Sequence, residues 1–193
     1  MGTENMDRRV RKTKKQLREC LTRLLKEKKV QDITVRELTD MADLNRGTFY
    51  LHYRDVFDLL EKTENELLDE FNQLMHRHNA LEINDKLDVI FVEIFHLVQD
   101  NAALVEILLG ENGDLNFVNR LKLLVREKCL QDWMELFRSA NSAFFEAYYS
   151  FIVSGCVGLV QYWLQNGMAE SPEELALLAE HIITQGIHVL ENG

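Results

Sequence analysis

Several polar side chains between positions 33 and 53, in the sequence ITVRELTDMADLNRGTFYLHY, have types and spacing suited to contacts with a polyanion. Arg46 can form hydrogen bonds with guanine or with phosphate, and Thr48 can contact a base edge or a thymine methyl group. Tyr50 and His52 supply hydrogen-bond donors of the kind that position a protein on backbone phosphates. These four residues therefore indicate contact with a nucleic acid.

Two short helices joined by a turn must position these side chains. Thr34 and Glu37 have the spacing of a capping box, which predicts that the first helix begins there. Asp43 lies in the turn, and Asn45 is a good N-cap for a second helix that ends near Tyr50. The pattern predicts a helix-turn-helix, whose second helix enters the major groove with its N-terminal residues against base edges.

Two further expectations follow for the ends of these helices. Helix N-termini offer free backbone amides to phosphates, so we expect Thr34 to give its hydroxyl and nearby amides to one phosphate. Gly47 removes a side chain at a point where a duplex could approach closely.

The distribution of charge agrees with a separate polyanion-binding module. The 193 residues carry a net charge of −10, which by itself argues against a nucleic-acid partner. Residues 1–56 nevertheless have a net charge of +5 and residues 57–193 a net charge of −15. A basic head on an acidic body favours a polyanion-binding head, although a solvated basic helix face is the alternative on charge alone.

The rest of the chain predicts helices throughout. No segment shows sustained period-two alternation, and the single proline permits long uninterrupted helices. We expect an all-α fold in which a helix-turn-helix domain of three helices (8–54, motif about 33–52) joins a C-terminal helical bundle (55–193) that dimerises. Helix four forms a rigid connection between them. The helices are expected at roughly 9–28, 34–42, 45–50, 55–77, 84–99, 102–110, 115–138, 142–166 and 172–191.

Cellular context is indicated by cysteine usage and by hydropathy. Cys20, Cys129 and Cys156 form no close pair, which fits a reducing cytoplasm. The N-terminus lacks the apolar region of a secretory signal. The apolar segment 148–164 is shorter than the 20 or so residues that a membrane-spanning helix needs, so we interpret it as a helix buried in a bundle or in an oligomer interface.

The segment ITVRELTDMADLNRGTFYLHYRD resembles the DNA-binding signature of the tetracycline-repressor (TetR) family. The resemblance implies that DNA is contacted by Thr34, Arg36, Asn45, Arg46, Gly47, Thr48, Tyr50 and His52. The chain departs from the family pattern at Asp43, where glycine is common. It also departs at Val56, where many members have a phosphate-binding lysine, for which Arg54 could substitute.

The C-terminal segment FIVSGCVGLVQYWLQNGMAESPEELALL resembles the last two helices of a TetR subgroup common in Gram-positive bacteria. In this family, those helices form a four-helix dimer interface. The resemblance implies a homodimer with an interface that includes Gly155, Gly158, Trp163, Leu178 and Ile182. A two-fold pair would place two recognition helices about one duplex turn apart, roughly 34–36 Å.

The resemblance also implies an effector pocket in the C-terminal bundle. The candidate lining residues are aromatic, namely Phe91, Phe95, Phe117, Trp133, Phe137 and Tyr148. Ordinary core packing is the alternative for each of them. A protein partner could also replace a small effector.

Metal binding, cofactors and catalysis are not indicated. His76 and His78 point in different directions on a helix, and His181 and His188 are too far apart to share one ion. The sequence has no glycine-rich phosphate loop, GxSxG or HExxH motif. We therefore expect no cofactor and no metal.

The sequence favours a homodimeric repressor of a palindromic operator, released by an effector, with an activator left open. The alternatives are a regulator or co-activator whose C-terminal bundle binds a partner protein, and an enzyme on a helical bundle without a recognisable motif.

Overall fold

The described residues of the chain form α-helices without any β-strand. The structure is a computed structural model that describes residues 2–77, 80–110, 115–136 and 145–191, and the side chains of residues 8–77, 87–110, 115–128 and 146–184. The predicted all-α fold class is confirmed.

Nine α-helices are found in these ranges, each close to a predicted one. They are α1 (Gly2–Leu25), α2 (Val35–Met41), α3 (Arg46–Tyr50), α4 (Val56–His76), α5 (Ala80–Asp100), α6 (Ala102–Leu108), α7 (Leu115–Leu136), α8 (Phe145–Gln165) and α9 (Pro172–Glu191). One short 3₁₀ helix, Val30–Asp32, was not predicted.

The chain divides into two compact units, Met1–Leu67 (unit 1) and Leu68–Gly193 (unit 2). The division falls within α4, whereas the predicted domain boundary follows residue 54. Units defined by packing and modules defined by function need not end at the same residue, so the predicted boundary stays a proposal about function.

Unit 1 has an apolar core that fixes its short helices. Buried side chains from α1, α2, α3 and the start of α4 form one cluster, in which Leu17, Leu21, Leu38, Phe49 and Leu59 are completely inaccessible. Helices as short as α2 and α3 are not stable alone in water. Their conformation therefore depends on this core and on their caps.

Unit 2 is organised around α5, which packs against α7 and α9. Trp163 of α8 is completely buried, and its ring meets that of Phe95 edge to face with 5.5 Å between centroids. The indole Nε1 of Trp163 donates to the carbonyl oxygen of Glu170, 2.9 Å away. This residue therefore packs α8 against α5 and also fixes the turn between α8 and α9.

No helix among the described residues is long and apolar enough to span a membrane, and this includes α8 with its apolar segment.

Candidate nucleic-acid interface

The N-terminus of α2 is fixed by the predicted capping box. The backbone N–H of Glu37 donates to the hydroxyl oxygen of Thr34 at 3.2 Å, and the backbone N–H of Thr34 donates to Oε2 of Glu37 at 2.9 Å. The ammonium group of Lys28 also donates to Glu37. The Lys28 hydrogen bond, followed by those from Thr34, lowers the pKa of Glu37 to about 2.

In this arrangement, the hydroxyl and the backbone N–H of Thr34 both have a partner within the chain. Its hydroxyl donates to Oε2 of Glu37 at 2.8 Å, and its backbone N–H is bound to the same oxygen. Both donors of Thr34 are therefore engaged by Glu37 in this conformation, and the expected contact of its hydroxyl and of nearby amides with a phosphate stays a prediction. A phosphate would first have to displace the carboxylate of Glu37.

The turn between α2 and α3 contains a residue in the left-handed region. Asp43 has φ of 51°, and the backbone N–H of Leu44 donates to the carbonyl oxygen of Thr39 at 2.9 Å. The second hydrogen bond, from Asp43 to Asp40, completes a Schellman ending of α2. The prediction that Asp43 takes the turn conformation in place of glycine is confirmed.

Helix α3 is held at both ends. Oδ1 of Asn45 accepts the backbone N–H of Gly47 at 2.8 Å, as predicted for an N-cap. Phe49 is completely buried and lies edge to face against Tyr50, with 5.5 Å between ring centroids. Because Phe49 fixes the inward side of α3, the orientation of its polar residues is set by the core of unit 1.

Most of the predicted DNA-contacting residues are accessible in unit 1. Thr34, Arg36, Asn45, Arg46, Gly47 and Tyr50 are exposed, whereas Thr48 and His52 are half-buried. Arg36 already has a partner, since its Nε lies 3.5 Å from Oδ2 of Asp40, and both side chains are at least 70% exposed. Such an exposed pair is weak and leaves the guanidinium able to exchange its partner.

His52 follows α3 and lies in an electropositive environment. Its pKa is lowered from 6.5 by burial first, and then by the positive charges of Lys14 and Lys62. The imidazole is therefore neutral near pH 7, with one N–H donor and one acceptor nitrogen.

The start of α4 does not present a cation at the family position. Val56 is buried in the core of unit 1. Nη2 of Arg54 lies 3.2 Å from Oδ1 of the buried Asp58, and the backbone N–H of Arg54 donates to Oδ2 at 2.9 Å. The backbone N–H of Asp58 in turn donates to Oδ1 of Asp55 at 2.8 Å, so Asp55 caps α4.

The aromatic residues predicted for an effector pocket have different environments. Phe95 and Phe117 are buried, whereas Phe91 and Tyr148 are only half-buried. The Tyr148 hydroxyl donates to the carbonyl oxygen of Ile183 at 2.9 Å. The side chains of Trp133 and Phe137 lie outside the described part of the chain.

The residues predicted for the dimer interface differ in how much of their surface is exposed. Gly155, Leu178 and Ile182 are exposed, and Gly158 is half-buried. The structure instead buries Trp163 completely within its own chain, so its side chain has no surface to offer a second chain. The structure also exposes Phe151 and Tyr162 of α8 and Leu177 of α9, which were not predicted. Their spacing of four residues from Gly155 and Gly158 could have identified Phe151 and Tyr162, whereas no such spacing marks Leu177.

Comparison of the sequence with known proteins adds two findings. A family model described as a transcriptional regulator C-terminal region, TetR_C_8, matches residues 85–185. A protein of Bacillus subtilis (strain 168), named the uncharacterized HTH-type transcriptional regulator YxbF, is 21% identical over 175 residues, which cover 88% of this chain and 44% of that protein. The chain thus spans less than half the length of this curated relative.

Two solved structures are similar in fold to this chain. A TetR transcriptional regulator from Streptococcus agalactiae 2603V has a TM-score of 0.62 and 19% identity, with 94% of this chain and 99% of that chain covered. The regulator FadR from Bacillus subtilis, solved in complex with stearoyl-CoA, has a TM-score of 0.68 and 16% identity, with 90% and 98% covered. At these identities the similarity shows a shared fold.

Proposed function

Since the chain belongs to the TetR family of transcriptional regulators, we propose that it binds a palindromic DNA operator as a homodimer and represses transcription until an effector releases it. The observation that carries this proposal is the capped α3, whose Arg46, Gly47 and Tyr50 are exposed while Phe49 is anchored in the core. We further propose that the protein acts in the cytoplasm and is not an enzyme.

The proposed DNA-binding residues divide into two roles. Arg46 and Thr48 lie in the first turn of α3, which in a helix-turn-helix faces base edges, and we assign sequence preference to them. Tyr50 and His52 lie at the other end of α3 and are assigned to phosphates. Gly47 lets the duplex approach α3 closely. Thr34 and Asn45 cap the N-termini of α2 and α3, and Arg36 lies in the first turn of α2.

Dimerisation is assigned to α8 and α9. Phe151 is 72% exposed and Tyr162 is 53% exposed on α8, while Leu177, Leu178 and Ile182 are each about half exposed on α9. An accessible apolar surface of this kind is typical of an interaction site. Because Gly155 and Gly158 belong to the same part of α8, a second helix can approach closely there.

Release of the operator is assigned to an effector bound in unit 2. Phe91 and Tyr148 keep part of their surface accessible, which supports an apolar ligand. Stearoyl-CoA is a reasonable first probe because the structurally similar FadR was solved with it. The alternative, a partner protein on the bundle, predicts that no acyl compound changes operator affinity.

The first test is selection of bound duplexes from random DNA with the full chain. We expect enrichment of a palindrome, and Arg46→Ala is expected to broaden the enriched set. If no duplex is bound at low salt more tightly than by an equally acidic control protein, the proposed function is wrong.

A second test removes the hydroxyl group of the exposed Tyr50. Tyr50→Phe removes one hydroxyl from the proposed phosphate contact, and a hydrogen bond to a charged group contributes about 1.5–3 kcal/mol, so operator affinity should fall at least about tenfold. Asn119→Ala removes an exposed polar group from α7 in unit 2, outside the proposed dimer surface, and should leave operator affinity unchanged. Equal affinities for both variants would remove Tyr50 from the interface.

A further inference from the structure

Lys62 of α4 is held in one conformation by three neighbours although half of its side chain is exposed. Its ammonium group donates to Oδ2 of Asp58 at 2.9 Å and to the carbonyl oxygen of His52 at 3.1 Å. The same nitrogen lies 5.3 Å from the centroid of the Tyr53 ring. An exposed lysine normally retains considerable rotamer freedom, so this one is unusually well positioned.

Asp58 is the centre of this arrangement. Its carboxylate is 5% exposed and contacts two cations, Lys62 and Arg54, whose side chains are 48% and 79% exposed. The carboxylate of Asp58 thus contacts two cations, and the three side chains together carry a net charge of +1. An ammonium group has three N–H donors, and the two protein oxygens leave one for another acceptor.

The surroundings of His52 make this region more positive. His52 connects α3 to the segment before α4, and its imidazole is within the influence of Lys62 and of Lys14 from α1. Two separate helices of unit 1, α1 and α4, therefore place positive charge near the residue that follows the proposed recognition helix. The buried Val56 supplies no charge to the first turn of α4.

We propose that Lys62 binds a phosphate of the DNA backbone and that Asp58 is a positioning residue that aims it, together with Arg54. This inference rests on the proposed function and extends the interface from α3 into the second turn of α4. A fixed cation loses little conformational freedom when the phosphate binds, so it contributes more than a mobile surface lysine.

The test is the salt dependence of operator binding by the full chain. Each phosphate contact contributes a slope of about −0.9 to the dependence of log K on log salt concentration. Lys62→Gln should therefore make the slope shallower by about 0.9 per protomer, and affinity at low salt should fall several-fold. Lys62→Arg should restore most of both quantities. Lys122→Gln, which removes the same charge from unit 2, should change neither.

A second variant separates positioning from simple charge. Asp58→Asn adds one positive charge to unit 1, so an effect of charge alone would tighten DNA binding and steepen the slope. The positioning role predicts the opposite, weaker binding with a shallower slope, because Lys62 and Arg54 lose their common acceptor. Tighter binding by Asp58→Asn would overturn the positioning role.

The remaining outcomes distinguish this inference from the proposed function. If the unaltered chain binds its operator and Lys62→Gln keeps the original slope with an unchanged melting temperature, the role of Lys62 is wrong and the proposed function stands. If the unaltered chain binds no duplex, both are wrong.

Discussion

Both units are helical, but they differ in net charge and in the length of the helices that carry their proposed sites. Unit 1 has a net charge of +2 and unit 2 a net charge of −12. In unit 1, the short helices α2 and α3 are fixed by side-chain caps from Thr34 and Asn45, and Asp55 caps the longer α4. In unit 2, the long helices α8 and α9 expose apolar side chains, and a capping box at Ser171 begins α9.

We relate this difference to the two proposed activities, DNA binding by unit 1 and dimerisation by unit 2. Short helices with specified ends place individual polar groups accurately, which recognition of a polyanion requires. Long helices with an accessible apolar face provide area, which association with a second chain requires. The predictions below test each side of this division, beginning with the largest expected effect.

The largest effect is expected at Trp163, a completely buried side chain of unit 2. Trp163→Ala removes a completely buried ring and should lower the free energy of unfolding by about 3–5 kcal/mol. Trp163→Phe keeps the contact with Phe95 but loses the hydrogen bond to Glu170, and it should cost less. The measurement is urea denaturation, with hydrogen exchange to locate the loss in α8 and α9.

Leu123→Ala is the control, because Leu123 of α7 is 54% exposed. A truncation at this position should change the free energy of unfolding by less than about 1 kcal/mol. If Trp163→Ala and Leu123→Ala cost the same, packing around Trp163 does not stabilise unit 2.

The next effect concerns the exposed surface of unit 2. An added Cβ at Gly158 meets no atom within 4 Å outside the adjacent backbone of α8 in the described part of the chain, so Gly158→Glu should leave the fold intact. In a dimer formed through α8, it buries an unpaired charge, which we expect to weaken association by about 100-fold or more. Sedimentation should then show monomers, and operator affinity should fall with the loss of the second head.

Asn119→Glu makes the same charge change at an exposed position of α7 and should remain dimeric. A Gly158→Glu protein that dimerises as well as this control would place the interface on other helices.

Lowering the pH should destabilise unit 1, because two of its hydrogen-bonded carboxylates, Asp58 and Glu37, become protonated. Hydrogen bonds from the backbone N–H of Arg54 and from Lys62 lower the pKa of Asp58 to about 2, and those from Lys28 and Thr34 do the same for Glu37. In the unfolded chain these groups titrate near 4. Their stabilisation is therefore complete above about pH 4.5 and is lost as the pH falls towards 2.

The measurement is the melting temperature of unit 1 between pH 5 and pH 2.5. Asp58→Asn should lower it at pH 7 but should flatten its decrease in acid. Glu61→Gln, which changes an exposed carboxylate on the same helix, should keep the steep decrease. The same steep decrease in Asp58→Asn would show that this carboxylate does not carry the acid sensitivity.

Much of the fold could be predicted because its signals are local. The capping boxes at Thr34 and Ser171 depend on residues three positions apart, and both are present. The burial of Trp163 depends on Phe95, which lies in another helix, and no local pattern distinguishes a tryptophan that faces its own core from one that faces a partner. The position of Lys62 could not be predicted for a similar reason. Its spacing from Asp58 is local, but its proximity to His52 depends on the turn after α3.

The smallest effect compares two helix ends with the same geometry in the two units. Gly167 ends α8 with φ of 69°, and Asp43 ends α2 with φ of 51°. An L-residue in this conformation costs roughly 1–2 kcal/mol, less for aspartate, whereas glycine adopts it freely. Asp43→Ala should therefore destabilise unit 1 by about 1 kcal/mol in urea denaturation, and Asp43→Gly should be neutral or slightly stabilising.

Asp40→Ala, one turn earlier at an exposed helical position, should instead be neutral or slightly stabilising, because alanine is the better helix former. If Asp43→Ala and Asp40→Ala have equal effects, the left-handed turn stores no strain. If Asp43→Gly gains stability but loses operator affinity, the aspartate fixes the angle between α2 and α3. That outcome would link the geometry of this turn to DNA binding by unit 1.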